Sequence, residues 1–274
     1  NLERMIIMPD KKMVVLGESH KALSKLLETK KEALPKDFNK ARFLQNCMTV
    51  LQDTRDIEKC QPISVARTML KGAFLGLDFF NRECYAIPYG GSLQFQTDYK
   101  GEIKLAKKYS FNPIKDIYAK IVRQGDDFQE AIANGQQTIN FTPVPFNDAD
   151  IIGAFAVCLF QDGGMIYETM TKQEIEGIRN NFSKAKNSPA WTKTPWEMYK
   201  KTVLRRLCKL IELDFDSIES KKTYQETSDF EFEDKSKHEI SNFDKKDIDE
   251  DKIIEADAEV QDNASEVGED VERD

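Results

Sequence analysis

The sequence predicts an α+β fold: N-terminal helices, a central antiparallel β-sheet, a β-hairpin packed against helices, and an acidic, disordered C-terminal tail. Three observations predict it. Apolar residues recur at helical spacing up to about Leu77, alternate at strand spacing from Tyr85 onward, and lose periodicity beyond about Ser220. The expected organisation is a helical part at residues 1–60 serving self-association, an α+β core at 61–220, and the tail at 221–274.

The first helix is expected over about Ser19 to Leu34, where Leu23, Leu26, Leu27 and Leu34 share a face, and the second over Phe38, Ala41, Leu44, Met48 and Leu51. Pro62 suits the first turn of a third helix, lined by Ala66, Met69, Leu70, Ala73, Phe74 and Leu77. The period then changes. Tyr85, Ile87 and Tyr89 alternate, Gly90-Gly91 supplies two positive-φ positions, and Leu93 and Phe95 alternate onward, which predicts a hairpin over Cys84 to Thr97. A polar helix from about Tyr99 to Tyr109 follows, then strands near Ile114–Val122, Gln137–Phe141, Ile151–Phe160 and, after Asp162-Gly163-Gly164, Met165–Met170. Thr171 to Glu174 is a capping box, and Thr194-Pro195-Trp196-Glu197 opens a last helix burying Trp196, Tyr199, Val203, Leu207 and Leu210. Lys201, Arg205 and Lys209 fall on its polar face, and Lys200 falls within the apolar stripe.

The net charge of −8 averages two unlike regions. Residues 221–274 carry 20 acids and 8 bases, leaving 28 acids and 32 bases in residues 1–220. Arg179 to Lys209 holds nine cations against Glu197 alone, and Lys100 to Arg123 seven against Glu102 and Asp116. Like charges at this density repel unless an anion lies nearby, so two basic stretches on a basic core read as a phosphate-backbone binder. Phe182, Trp191 and Trp196 are interleaved with the cations, as base-stacking aromatics would be, although Trp196 reads as core and Trp191 as a staple for the loop. Gln94 and Gln96 project opposite Leu93 and Phe95, where amides can meet phosphate or sugar without reading sequence.

Other classes have little material. The five cysteines are widely spaced with no CxxC pair, and two histidines leave metal or nucleophile chemistry short of ligands. No nucleotide-binding motif occurs. No apolar run approaches the roughly 18 residues of a membrane span, and Asn1-Leu2-Glu3-Arg4 has no export features; the first residue is not Met, which fits a trimmed start. The one enzymatic alternative is a Mg²⁺-dependent nuclease using Asp98, Glu102 and Lys104, an acid followed by an E-x-K triplet.

Four blocks resemble the RecT family of phage and prophage recombinases: Pro62 to Asp78, Asn81 to Tyr89, Gln94-Phe95-Gln96 with Tyr99-Lys100-Gly101, and Trp196 with Met198 and Lys200 to Arg205. The resemblance covers roughly residues 20 to 215. It implies a single-strand annealing protein core, ATP-independent annealing of complementary DNA strands without cofactor, metal or catalytic residue, and a ring or helical filament. It also implies a partner exonuclease and action in the cytoplasm of a bacterial host, on single strands and the annealed duplex. Carried onto matching positions, the DNA-binding residues are Arg82, Gln94, Gln96, Tyr99, Lys100, Lys200, Lys201, Arg205 and Arg206; Lys184, Lys186 and Lys193 are added on charge alone.

Overall fold

In a computed structural model, which describes residues 10–183 and 186–229, the chain opens on Asp10, whose side chain caps α1 (Lys11–Thr29) by accepting from the Lys12 N–H. The helix starts eight residues before the expected Ser19 because Val15 and Leu16 already supply its buried stripe, which continues through Leu23 and Leu27. Asn39 caps α2 (Lys40–Asp53) in the same way. Pro62 opens α3 (Pro62–Leu75), and Gly76 in the left-handed conformation closes it. These helices and the hairpin β1 (Cys84–Tyr89) with β2 (Ser92–Thr97) share one core, including Leu23, Leu51, Met69, Leu77 and Leu93. The expected boundary at residue 60 therefore runs through a continuous core.

Asp98 caps α4 (Tyr99–Tyr109), which serves two cores: Leu105 and Tyr109 face the first, while Ala106 faces the second. The second is built on an antiparallel sheet of order β3-β6-β7, from β3 (Ile114–Arg123), β6 (Ile151–Phe160) and β7 (Met165–Thr171). Strand period divides β6 cleanly. Ala154, Ala156 and Cys158 pack toward the last long helix, and their small side chains let it approach; Phe155 and Val157 face the other way. Over that other face folds a separate hairpin, β4 (Asp127–Ala133) and β5 (Gln136–Thr142), seated by Phe128, Ile139 and Phe141 against Phe155. Only β5 was expected from sequence. β4 exposes most of its residues and so lacks alternation, yet Asn134-Gly135, both at positive φ, is a strong two-residue turn signal.

Thr171 and Glu174 form the expected capping box of α5 (Lys172–Phe182), and after the short α6 (Pro189–Lys193) comes α7 (Pro195–Leu210). Its stripe differs from the predicted one at both ends. Tyr199, Val203 and Leu207 are buried as expected, but Trp196 and Leu210 are exposed, and Leu204 and Cys208 are buried instead. The reason is that α7 packs on the sheet and also against α4, which widens its buried face on one side. Trp191, expected only to staple a loop, is the buried tryptophan, its ring 6.4 Å from that of Tyr199.

The predicted tail boundary also moves. Ile218–Asp229 forms α8, with Ser220 Oγ donating to the Phe74 carbonyl, Lys71 paired to Glu226 at 2.8 Å, and the Tyr224 ring against Phe215. These three contacts are supplied by α3 and the chain before α8, so net composition over 221–274 hid a segment that tertiary packing orders. Residues 230–274 lie outside the described residues.

Gly101 shows how tightly the root of the hairpin is built. A Cβ there would overlap the carbonyl oxygen of Glu83, which itself accepts from the Asp98 N–H at 2.9 Å. Gly101→Ala is expected to cost roughly 1–3 kcal/mol by overpacking, measured as a lower denaturation midpoint with an unchanged slope.

Candidate nucleic-acid interface

The hairpin presents one face to solvent because α3 holds the other. Thr68 Oγ1 donates to the Leu93 carbonyl at 2.6 Å, the Leu93 N–H donates to Ser64 Oγ at 3.0 Å, and Gln61 N–H reaches the Gly91 carbonyl. Gly90 and Gly91, at φ 56° and 83°, make the turn that the sequence called for. Register then decides the outer face: Tyr85 stands opposite Gln96, Ile87 opposite Gln94, and Tyr89 opposite Ser92. Tyr85, Ile87 and Tyr89 are 39%, 44% and 60% exposed, while both glutamines are half-buried beside them.

At the base of this face, Arg82 sits in the left-handed conformation (φ 58°) and is exposed. Its charge acts on the Tyr85 hydroxyl, whose pKa is raised by burial and by Asp98, to which it hydrogen-bonds. Tyr99, in the first turn of α4, lies beneath Lys201, with Nζ 5.2 Å from the ring centroid. Burial, then Asp98 and Glu197, push the Tyr99 hydroxyl upward, so it remains a donor at neutral pH. Glu197 also holds Lys200, Nζ to Oε1 2.6 Å. The hairpin root, α4 and the start of α7 therefore converge on Tyr85, Tyr99, Lys200 and Lys201, with Lys100 exposed on α4.

The other predicted residues are distributed differently. Arg205 turns inward, its Nε 3.4 Å from Oε1 of the buried Glu102, and Arg206 is paired at 2.8 Å with Glu168 on β7. Lys186 and Lys193 are exposed around α6, and Lys184 lies outside the described residues. Arg179 binds Glu176 and the Lys186 carbonyl and stands over Trp191 at 5.4 Å. Counting acids only within the basic stretch thus overstated its unmet charge, because Glu102, Glu168 and Glu176 arrive from α4, β7 and α5. In the sequence Tyr85 and Tyr89 stand out only as strand alternation; their register opposite Gln96 and Ser92 is the signal that places them on this face.

The nuclease residues are committed elsewhere. Asp98 caps α4 and bonds Tyr85, Glu102 is buried under Thr97 and Arg205, and Lys104 binds both the Gly76 carbonyl and Glu83. These contacts do not gather the three around a common open point. What the exposed face offers is aromatic rings, amides and ammonium groups side by side, a set that can neutralise phosphate and stack on bases while leaving base-pairing edges free.

Comparison with known proteins supplies relatives of the chain. The profile of the RecT family matches residues 41–240. Over 195 residues the chain is 29% identical to protein RecT of Escherichia coli strain K12, covering 67% of this chain and 71% of that protein. It is also 29% identical over 167 residues to the uncharacterized protein YqaK of Bacillus subtilis strain 168, covering 60% and 56% respectively.

Proposed function

The chain belongs to the RecT family of single-strand annealing recombination proteins, and from that premise we propose that it binds single-stranded DNA through the hairpin face and anneals complementary strands without ATP or metal. The observation that carries the assignment of the site is the meeting of Tyr99 and Lys201 beside the exposed Tyr85 and its half-buried cross-strand partner Gln96. Annealing requires that two repelling backbones be neutralised while base edges stay accessible. Cations and tyrosine hydroxyls on phosphate, with aromatic faces on bases, meet both requirements, and no bond in the DNA is made or broken.

The protein acts in this reading as an oligomer, a ring or helical filament in which many weak contacts along one strand add up to firm binding. A partner exonuclease supplies the single strand, and the work is done in the cytoplasm of a bacterial host. Among the described residues no helix is long and apolar enough to cross a membrane.

The test is the pairing rate of two complementary labelled oligonucleotides in EDTA without ATP, across a salt series, with a non-complementary control. Acceleration confined to complementary pairs and fading with salt is the expected result. Unaccelerated pairing of intact oligonucleotides would overturn annealing, and strand loss on adding Mg²⁺ would favour a nuclease.

A further inference from the structure

From Gln124 to Thr171 the chain contains no lysine, arginine or histidine, while carrying seven carboxylates. These 48 residues build the β4–β5 hairpin, the connection to β6, and β6 and β7 themselves. Asp127, Glu130, Asp148 and Asp150 are exposed on this arm. A cation borders it, Arg123, whose guanidinium donates to the Ala149 carbonyl; a surface whose exposed carboxylates outnumber its cations repels phosphate, so the arm is unsuited to DNA.

It nevertheless displays apolar groups. Ile132, Val144 and Ile152 are exposed, and Phe146 is fully so. Phe146 has φ 54°, an unfavourable conformation for a bulky residue, and the loop enforces it. Asp126 accepts from the Val144 N–H and from Asn147 Nδ2, both at 2.9 Å, and from the Arg123 N–H at 2.8 Å, while Asn147 Oδ1 accepts from the Ala149 N–H. The residues around Phe146 are thereby fixed and its ring is held out. Among the described residues nothing covers it.

A complementary surface exists on the same chain. Between Lys11 and Lys31 stand six lysines against Glu18 and Glu28. Helical spacing sets the exposed Val14, Gly17, Lys21 and Lys25 on the outer face of α1, opposite the buried Val15, Leu16, Leu23 and Leu27. A Cβ at Gly17 would meet nothing within 4 Å, so no packing among the described residues requires a helix-weakening glycine there. It leaves a flat, bare stretch of backbone between an apolar residue and a lysine, beside a depression lined by His20, Lys21, Ser24, Lys25, Glu28 and Lys40.

We propose that the cation-free arm docks on a second copy of this chain, Phe146 seating on the Val14–Gly17–Lys21 face of that copy's α1. The two surfaces differ, so the contact is head-to-tail, and repetition produces a ring or an open filament. It leaves the hairpin face out of the contact. The proposal rests on the oligomer of the proposed function, whose contact surfaces it names, and it can fail while annealing and assembly both stand.

The five native cysteines are buried, which makes engineered surface cysteines selectively reactive. Asp148→Cys and Lys25→Cys proteins, whose cysteines flank Phe146 and its seat at exposed positions and leave both intact, are mixed, treated with a flexible bis-maleimide, and run under denaturing conditions. A covalent dimer in the mixture but in neither protein alone is expected. Its absence while the mixture sediments as an oligomer, dimerisation of Asp148→Cys alone, or a wild-type chain that stays monomeric would each overturn the proposal. Phe146→Ser should weaken assembly roughly thirtyfold, as loss of an anchor residue does, with its melting temperature unchanged. Gly17→Ala separates assembly from folding: it should raise the melting temperature by about 2–4 °C and still weaken assembly. A Gly17→Ala protein that assembles as wild type would sink the seat on α1.

Discussion

A variant with Lys100, Lys200 and Lys201 all replaced by alanine is expected to bind single-stranded DNA about a hundredfold more weakly at 0.1 M salt than the parent. Each phosphate contact on a single strand releases about 0.7 of a counterion, so losing three lowers the slope of log affinity against log salt by about 2 and the affinity by about two decades. Annealing at limiting protein should fall with it. None of the three ammonium groups is buried: Lys100 is exposed, Lys201 lies half-buried over Tyr99, and Lys200 pairs with a half-exposed Glu197, so melting should change little. The carboxylate provides an opposite control. A phosphate must displace Glu197 from Lys200, and Glu197→Gln should therefore tighten binding. A triple variant with unchanged slope, or a Glu197→Gln protein that binds no better, would move the interface away from this face.

The sequence reveals the hairpin more fully than any other part of the interface. Alternation from Tyr85 to Phe95 around Gly90-Gly91 states both strands and their turn, and the same period tells which side chains share a face with Gln94 and Gln96. Local sequence also states the ends of α4 and the capping box of α5, because a cap is a matter of three or four neighbouring residues. Features that depend on distant partners stay hidden. Nine cations in 31 residues look unopposed until β7 brings Glu168 to Arg206 and α4 brings Glu102 to Arg205. α8 is invisible for the same reason, since its weak pattern is ordered by contacts to α3. β4 lacks alternation because only Phe128 is seated, its outward neighbours lying in solvent.

Arg205 marks where those two kinds of information diverge, and its removal should be felt in stability rather than in binding. Glu102 is buried; its Oε1 accepts from Thr97 Oγ1 at 2.9 Å and lies 3.4 Å from Arg205 Nε. Its negative charge also raises the pKa of the buried Tyr224 hydroxyl and Cys208 thiol, in each case after burial itself, so hairpin, α4, α7 and α8 meet around one carboxylate. Arg205→Ala leaves that carboxylate in the interior without its cation, and such a break costs about 3–5 kcal/mol. The expected result is a correspondingly lower unfolding free energy in urea. Adding Glu102→Gln removes the stranded charge, and the double variant should recover most of the loss. At a temperature where it is folded, the double variant should bind single-stranded DNA within about twofold of the parent, since this pair is turned into the interior and is not among the contacts proposed for the hairpin face. A double variant that folds normally yet loses binding as the lysine variant does would place Arg205 on the DNA after all. Loss of Mg²⁺-dependent cleavage in Glu102→Gln, from a parent that cleaves, would instead make the carboxylate catalytic.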